Sequence, residues 1–292
     1  MAESRAGFVA LLGPPNVGKS SLLNALVGER LAIVSPRPQT TRSRILGILP
    51  HGDAQLLFLD TPGRHRGTKR LNAALNAIVE EVVRDCDVAC LLVDRRVGWT
   101  GLHDELAVAL GAAERPTLVV GTKSDRLRSE APGWPPSEAP RDAPALAVSA
   151  HSGEGLEALL DAIAARLPVS PPLYDPEALT DRSTRWLCAE LVREAAFTHL
   201  DQELPYEVAV EVLRFDESDP RRLRIAANLL VARDSQKRIV VGRGGAMVKR
   251  IGTRARESIE AWLGRRVFLE LFVKVDPGWQ KDPRRIESLG YS

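Results

Sequence analysis

The clearest chemistry in this sequence lies near its N-terminus, where residues 13–20 read Gly-Pro-Pro-Asn-Val-Gly-Lys-Ser. This run fits G-x-x-x-x-G-K-[ST], a loop whose backbone N–H groups surround phosphates at the N-terminus of a helix. Lys19 then reaches the β- and γ-phosphates, and the Ser20 hydroxyl is a Mg²⁺ ligand. The predicted phosphate-binding residues are Gly13, Asn16, Val17, Gly18, Lys19, Ser20 and Ser21. The alternative is a glycine-rich turn that binds nothing, and the motifs that follow argue against it.

Short apolar runs that alternate with helical patterns surround this loop. Each run is almost continuously apolar, as in strands of a parallel sheet that is buried on both faces. Predicted strands cover residues 8–12, 56–59, 88–93, 117–120 and 146–148, and a predicted helix covers 21–27. A polar cluster follows each strand, so polar residues gather at the carboxyl edge of the sheet, where such sheets bind ligands. The pattern predicts an α/β P-loop domain, with helices on both faces of a mostly parallel sheet.

Two segments predict how a nucleoside triphosphate is bound at its phosphate end. Asp60 opens an Asp-Thr-Pro-Gly run after the second strand, which places a carboxylate near Mg²⁺ and the Gly63 N–H near the γ-phosphate. Thr41 lies in a loop before that strand and is expected to offer its hydroxyl to Mg²⁺ when a γ-phosphate is present. We therefore expect Ser20, Thr41 and Asp60 to hold Mg²⁺. Catalysis is expected to involve Lys19, Thr41 and Gly63.

The ends of the later strands predict that the base is guanine. A Thr-Lys-Ser-Asp run follows the fourth strand and supplies Thr122, Lys123 and Asp125. An Asp at this place accepts hydrogen bonds from the N1–H and the exocyclic amine of guanine, a pairing that rejects adenine. Ser149 and Ala150 follow the last strand, where a backbone N–H can reach the guanine carbonyl oxygen. The sequence therefore predicts GTP as substrate and GDP as product.

The predicted site contains no evident base for the attacking water, because Arg64 follows Gly63 where Ras-like enzymes carry Gln. Hydrolysis must then depend on positioning and on neutralisation of charge by Lys19, Mg²⁺ and a further cation. We hypothesise that Asn16 helps to hold K⁺ over the phosphates, in the role of an arginine finger. The alternative stays open that Asn16 only caps the loop through a bond between its side chain and the backbone.

Composition bounds the class of protein. The chain has 292 residues, 44% hydrophobic and 27% charged, which is ordinary for globular proteins and enough for two domains. No apolar run has transmembrane length and no signal peptide is evident, so we expect a cytoplasmic protein. Cys86, Cys90 and Cys188 lack metal-ligand spacing and are expected to be reduced thiols in the core.

Two proline-rich breaks divide the chain. Residues 128–144 predict a surface loop without a function of its own, and a second break begins at Pro168. We expect a GTP-binding domain over residues 1–168, a linker over 169–184 and a second domain over 185–292. The second domain is predicted to have the order α-β-β-α-α-β, which is typical of a separate α+β domain.

A glycine loop connects two predicted helices of the second domain. Such a G-x-x-G loop, preceded by apolar and followed by basic residues, indicates a type II KH domain, which clamps single-stranded RNA by its backbone. Basic residues also gather in this third of the chain although the net charge is +2. That clustering fits a polyanionic partner or a solvated Arg-rich surface, and charge alone does not decide. The predicted RNA contacts are Lys237, Arg238, Gly242, Arg243, Gly244, Gly245, Lys249 and Arg250.

Residues 7–168 resemble the translation-factor-related GTPases, and with the KH domain the chain resembles the Era family of GTPases almost end to end. Era-like stretches occur at residues 36–42, 179–183, 203–206 and 273–279. The resemblance implies a bacterial GTPase that binds the 3′ end of 16S ribosomal RNA and assists maturation of the small ribosomal subunit. It also implies peripheral association with the inner membrane, and we expect a monomer. Thr122, where the family usually has Asn, and the segment 128–144 depart from the family pattern.

Two other functions compete with a GTP-hydrolysing switch. An RNA-binding chaperone with a structural nucleotide pocket fits the absent Gln and Thr122. Another ribosomal or tRNA-modifying GTPase fits the first domain, but such proteins carry different appended domains. Single-turnover hydrolysis with and without RNA separates the chaperone from the switch.

Overall fold

Two compact units make up the chain. A computed structural model describes residues 3–35, 37, 41–61, 70–127 and 133–290. The boundary between the two units falls between Asp181 and Arg182. No helix within the described ranges is long and apolar enough to cross a membrane.

The first unit is built on a six-stranded sheet. Its strands are β1 (Arg5–Leu12), β2 (Ile45–His51), β3 (Ala54–Asp60), β4 (Val88–Asp94), β5 (Thr117–Thr122) and β6 (Ala145–Ala147). Its helices are α1 (Lys19–Val27), α2 (Arg70–Asp85), α3 (Gly101–Ala112) and α4 (Leu156–Ala164). The strand order is β2-β3-β1-β4-β5-β6, and every neighbouring pair is parallel except β2 with β3. The predicted α/β class is confirmed.

Strand β2 is an addition to the predicted set. Its sequence contains Gly47 and Pro50, two residue types that are depleted in strands, so the segment lacks a strand signal. Pro50 is tolerated because β2 lies at the edge of the sheet, where a missing N–H leaves no ladder bond unmade. The hairpin of β2 and β3 therefore extends an otherwise parallel sheet by one antiparallel strand.

The parallel strands are buried, as their composition predicts. All seven residues of β4 are buried, and so are six of the seven in β3. Helices α2 and α3 pack against this sheet through apolar residues such as Val82 and Leu106. Cys86, Cys90 and Cys188 are buried and free, and burial raises the pKa of Cys90 to about 12. Because the core fixes the strands, it also fixes where their carboxyl ends lie.

The segment predicted as a linker is anchored to the first unit. The buried Gln55 side chain accepts hydrogen bonds from the backbone N–H of Leu173 at 2.7 Å and of Tyr174 at 3.0 Å, and donates to the Tyr174 carbonyl at 2.8 Å. The Ile48 N–H donates to the Leu179 carbonyl at 2.9 Å. Most of the predicted linker, residues 169–184, therefore packs on the first unit, as far as Asp181.

The second unit is a three-stranded sheet with helices. Its elements are α5 (Thr184–His199), β7 (Ala209–Asp216), β8 (Arg222–Val231), α6 (Asp234–Val241), α7 (Ala246–Leu263), β9 (Arg266–Val275) and α8 (Pro283–Ser288). β8 lies between β7, which is antiparallel to it, and β9, which is parallel. The predicted order α-β-β-α-α-β is present. α8 was not predicted because six residues are too few to show helical periodicity.

Candidate functional site

The loop between β1 and α1 closes around a buried lysine. Gly13 has a φ of 148°, and a Cβ there would lie 2.8 Å from the Leu92 carbonyl oxygen, so the position requires glycine. α1 begins at Lys19, whose Nζ donates to the carbonyl oxygens of Gly13 and Pro14, both at 3.0 Å. Burial lowers the pKa of Lys19 to about 8, against the raising effect of Asp60. The lysine is thus held as a cation inside the loop.

Three predicted metal ligands lie within hydrogen-bond distance of one another. Ser20 Oγ donates to Asp60 Oδ2 at 2.6 Å and lies 3.0 Å from Thr41 Oγ1. Asp60 Oδ1 is buried and has no hydrogen-bond partner among the described residues. Two hydroxyls beside a carboxylate with an unused oxygen are the oxygen ligands that Mg²⁺ takes. The residues present therefore fit the predicted metal.

The Asp60 carboxyl group has a strongly shifted pKa. Burial raises it to about 6, while the hydrogen bond from Ser20 and the charge of Lys19 lower it. A cation placed beside this group would favour its ionised form. The site thus contains a buried acid whose charge is only partly compensated by protein groups.

The predicted guanine-binding carboxylate is oriented by a neighbouring loop. Ser149 Oγ donates to Asp125 Oδ1 at 2.7 Å and accepts from the backbone N–H groups of His151 and Ser152 at 3.2 and 3.1 Å. The bond from Ser149 lowers the pKa of Asp125, which keeps the carboxylate ionised at neutral pH. Ala150 lies next to Ser149 in the same turn. Ser149 therefore holds an acceptor in one orientation, which the pairing with guanine requires.

Thr122 joins the base motif to the phosphate loop. Its hydroxyl donates to the Val17 carbonyl at 2.6 Å, and it lies 3.3 Å from the Val93 carbonyl. Lys123 Nζ donates to Asp94 Oδ2 at 2.8 Å and to the Asn16 carbonyl. Both residues thus connect the end of β5 to the loop of residues 13–20. A hydroxyl is sufficient for this connection, so Thr122 makes it without the amide that is usual at this position.

Asp94 is a site residue that the sequence analysis missed. Its carboxylate receives two hydrogen bonds from the Arg96 guanidinium, at 2.9 and 2.7 Å, in addition to the one from Lys123. Burial alone would raise the pKa of Asp94, but these bonds lower it to about 2. Asp94 is the last residue of β4, as Asp60 is of β3, so both are polar residues that end an apolar strand. Asp60 is identified by its Asp-Thr-Pro-Gly run as well, whereas Asp94 has only the position at the strand end.

Trp134 is a second residue that sequence reasoning missed. It belongs to the proline-rich segment, which was predicted to have no function and of which residues 128–132 lie outside the described ranges. A Cβ on Gly121 would lie 2.7 Å from the Trp134 ring, so the indole packs directly on β5. The Arg95 guanidinium lies 5.4 Å from the centre of that ring, and Arg95 Nη1 donates to Ser124 Oγ at 3.4 Å.

Part of the predicted phosphate site lies outside the described residues. This applies to Gly63, expected to contact the γ-phosphate, and to Arg64 after it. The predicted metal ligand Thr41, in the loop that precedes β2, is within the described residues. The remaining predicted residues of the nucleotide site lie at the loop of residues 13–20, in α1, or at the carboxyl ends of β3, β5 and β6.

The glycine loop of the second unit lies between α6 and α7. Gly242 has a φ of 73°, and a Cβ there would lie 2.7 Å from the Met247 Cβ, so the first glycine is required by close packing. Gly244 and Gly245 also have positive φ, but a Cβ on either would meet nothing within 4 Å. The predicted cations around the loop are all exposed: Lys237, Arg238, Arg243, Lys249 and Arg250. The loop thus offers an open backbone surrounded by positive charge.

Comparisons with known proteins agree with both units. A family model described as a 50S ribosome-binding GTPase matches residues 8–123, and a KH domain model matches residues 203–280. GTPase Era of Pseudomonas fluorescens is 41% identical over 99% of this chain and 97% of its own. GTPase Era of Pseudomonas aeruginosa is 40% identical over 99% and 96%.

Two solved structures extend the similarity to three dimensions. A variant of Aquifex aeolicus Era bound to GDP and AlF4⁻ matches with a TM-score of 0.89 and 34% identity, over 99% of both chains. An Era structure in complex with MgGDPNP and nucleotides 1506–1542 of 16S ribosomal RNA matches with the same values. The chain belongs to the Era family of GTPases.

Proposed function

We propose that this chain is a GTP-hydrolysing switch that binds the 3′ end of 16S ribosomal RNA and assists maturation of the small ribosomal subunit. The observation that carries the proposal is the cluster of Thr41, Ser20 and Asp60, in which Ser20 Oγ lies 3.0 Å from Thr41 Oγ1 and 2.6 Å from Asp60 Oδ2. Thr41 comes from a loop, whereas the other two lie on the sheet and on α1. A loop residue that shares a Mg²⁺ site responds to the γ-phosphate, which is how GTPase switches sense their nucleotide.

The chain's own residues supply most of the phosphate chemistry. When the nucleotide binds, Lys19 Nζ donates to phosphate oxygens in place of the Gly13 and Pro14 carbonyl oxygens. Backbone N–H groups of the loop donate to the same phosphates. Ser20, Thr41 and Asp60 would hold Mg²⁺, which neutralises phosphate charge when bound. Catalysis then depends on positioning and electrostatics, because Asp60 would be occupied by the metal and Arg64, not Gln, follows Gly63 in the sequence. Gly63 remains the proposed γ-phosphate donor.

The second unit supplies the RNA site in this proposal. Gly244 and Gly245 leave the backbone open to phosphates, and Arg243 and Lys249 provide exposed charge nearby. The relative with 34% identity binds 16S ribosomal RNA through the same overall fold. We therefore propose the 3′ end of that RNA, within the small subunit, as the partner. Cytoplasmic location and a peripheral contact with the inner membrane remain expectations from the family.

Guanine selectivity is expected to depend on Asp125. Asp125→Asn should weaken GTP binding by about 3 kcal/mol and shift the preference toward xanthine nucleotides, because an amide reverses one donor–acceptor pair. Calorimetric titration with GTP and with XTP measures both effects. Asp142→Asn, an exposed Asp of the same unit, is the matched control. Undiminished GTP affinity in Asp125→Asn would show that the base is bound elsewhere.

Hydrolysis is expected to require K⁺ held by Asn16. This residue is exposed at a φ of 60°, a conformation that Gly adopts freely. Asn16→Gly therefore keeps the backbone and removes the side-chain oxygen. Native turnover should be at least about tenfold faster in KCl than in NaCl, and this difference should vanish in Asn16→Gly. Equal native turnover in both salts contradicts the potassium hypothesis, and a stimulation that survives in the variant assigns the ligand elsewhere.

RNA binding is expected to depend on the glycine loop and on the nucleotide. Changing Arg243 and Gly244 to Asp places two carboxylates where phosphates should lie, so affinity should fall at least about tenfold and GTP affinity should not change. An Asp at Gly244 meets open space but takes a φ of 59° that side chains rarely adopt, so far-UV circular dichroism of the double variant checks that the fold persists. The measurement titrates RNA copying nucleotides 1506–1542 at two salt concentrations, with GDPNP or GDP bound.

The matched control for this RNA titration is Arg84→Asp, an exposed charge reversal in the first unit. Unchanged RNA affinity in the Arg243 and Gly244 double variant would show that the loop is not the RNA clamp. RNA affinity that is the same with GDPNP and GDP, together with hydrolysis that RNA does not affect, would favour the chaperone over the switch.

A further inference from the structure

The sheet of the second unit has one face that its helices do not cover. Along β8, alternate residues from Leu223 to Val231 are buried with α5 and α7 in the core. Because side chains alternate across a strand, the other residues of β8 point to the opposite face. We call that opposite face of β7, β8 and β9 the outer face. The glycine loop joins α6 and α7, so it belongs to the helical side of the sheet.

The outer face is covered at one end and bare at the other. Ala209 and Leu230 are buried beneath Trp279, with Ile286 and Leu289 packed alongside. The C-terminal segment with α8 therefore closes the end of the sheet near the start of β7.

At the other end, apolar side chains stay in solvent. Phe268 is 41% exposed and Phe272 is 53% exposed. Both lie on β9 with an even spacing of four residues, so they share the outer face about 13 Å apart along the strand. Aromatic rings that are exposed in pairs on one face mark a contact surface more often than singly exposed residues do.

Positive charge surrounds these rings. A cavity of about 310 Å³ opens on this face, and its lining includes Arg214, Arg222, Arg224, Ala226, Phe268 and Glu270. The Arg222 guanidinium lies 5.0 Å from the centre of the Phe268 ring. Arg214 is paired with Asp216 at 2.5 Å, whereas Arg222 and Arg224 form no ion pair within the described part of the chain. Arg222 and Arg224 therefore share this cavity with one further carboxylate, that of Glu270, so positive charge is in excess beside an exposed ring.

We propose that the outer face binds an unpaired stretch of the RNA whose other part occupies the glycine loop. This proposal rests on the proposed function. Bases stack on the Phe268 and Phe272 rings, and the Arg222 and Arg224 guanidinium groups meet the phosphates. Glu270 can accept from exocyclic amines of a base. Charge and the exposed rings together favour RNA, because RNA supplies phosphates for the arginines and bases for the rings, whereas an apolar peptide would bury the arginines without partners.

An RNA must have a minimum length to contact the glycine loop and the outer face at the same time. Since the glycine loop lies on the helical side of the sheet, a strand must pass around the edge of the domain to contact both. A short RNA fills the loop alone. RNA length therefore separates the two contact surfaces in an experiment.

The test compares two RNAs: one copying nucleotides 1506–1542, and one of about eight nucleotides from its 3′ end, twice the length that a KH loop clamps. Arg222→Gln with Arg224→Gln should weaken binding of the long RNA about tenfold, and each lost phosphate contact should reduce the salt slope by about 0.7. Phe268→Ala with Phe272→Ala should weaken the same RNA about tenfold by loss of stacking. Binding of the short RNA should be unchanged.

The control is Arg84→Gln with Arg141→Gln, an equal loss of exposed charge in the first unit, which should affect neither RNA. Unchanged long-RNA affinity in both outer-face variants overturns this proposal and leaves the face to a partner of another class. The Arg243 and Gly244 double variant must weaken both RNAs. If it weakens neither, the loop is not the RNA clamp, and if the native chain binds neither RNA, the proposed RNA function fails; both results differ from failure of the outer face.

In the first unit, Trp134 and Arg95 lie next to the turn that contains Asp125. Ser124 and Asp125 lie in a single 3₁₀ turn, residues 124–126, that follows β5. Arg95 Nη1 donates to Ser124 Oγ, and the Arg95 backbone N–H donates to the Thr122 carbonyl at 3.2 Å. Arg95 in turn lies against the Trp134 ring. Trp134 thus contacts a side chain that is bonded to the turn presenting the guanine carboxylate.

From this geometry we infer that Trp134 is a positioning residue for the guanine site, which rests on the proposed nucleotide function. The indole limits the freedom of the Arg95 guanidinium, and Arg95 supports the Ser124 turn. The Thr122 hydroxyl bonds the loop of residues 13–20. A side-chain bond to Ser124 comes instead from Arg95, which lies outside the Thr-Lys-Ser-Asp run. The proline-rich segment supplies the ring against which Arg95 lies.

Trp134→Ala should raise the Kd of GDP and GTP about fivefold, with single-turnover hydrolysis at saturation unchanged. Trp134→Phe should restore most of the affinity, because a ring remains under Arg95. The effect should be smaller in an Asp125→Asn background, since both changes act on the same turn. Unaltered GDP affinity in Trp134→Ala, or full additivity with Asp125→Asn, overturns the inference. Failure of the native chain to bind GDP would instead contradict the proposed function.

Discussion

The nucleotide site depends on the burial of one cation and one anion at the edge of a parallel sheet. Burial lowers the pKa of Lys19 to about 8 and raises that of Asp60 to about 6, so each group is costly to bury in its charged form. The charges of Lys19 and Asp60 partly compensate each other. The part of each charge that stays uncompensated faces the loop of residues 13–20. Lys19 turns to carbonyl oxygens, and Asp60 keeps one oxygen without a partner among the described residues. A triphosphate with a divalent cation supplies the charges that both groups need.

Opposite charges also compensate one another in the part of the site that is expected to bind the base. Asp94 accepts from Arg96 and Lys123, and its pKa falls to about 2 despite burial. Lys123 is thereby fixed beside Asp125, whose own carboxylate is held by Ser149. In the proposed guanine site, such a pair of charged side chains would cost little reorganisation when a base binds, which is the condition for discrimination between guanine and adenine.

The sequence was informative where a residue type and its position on a strand agree. Asp60 and Asp125 come at or after the ends of apolar strands and belong to the Asp-Thr-Pro-Gly and Thr-Lys-Ser-Asp runs, and strand position and motif together predict their placement. Asp94 carries the same signal but belongs to no motif, so it was not singled out. Trp134 could not have been predicted, because its contact with Gly121 joins β5 to a proline-rich segment without periodicity. The anchoring of Leu173 and Tyr174 by Gln55 is equally invisible, since it depends on a buried amide that bonds the backbone of a distant segment.

The unpredicted strand β2 explains how a loop threonine reaches the metal site. In the β2–β3 ladder Ile45 pairs with Asp60, so the hairpin places the start of one strand beside the end of the other. Thr41 lies four residues before Ile45, and this short connection holds its hydroxyl near the carboxylate. The ladder begins only at Ile45, so residues before it can move without breaking any strand hydrogen bond. A fixed carboxylate beside a residue that is free of the ladder is the arrangement that lets nucleotide state change a loop while the sheet stays intact.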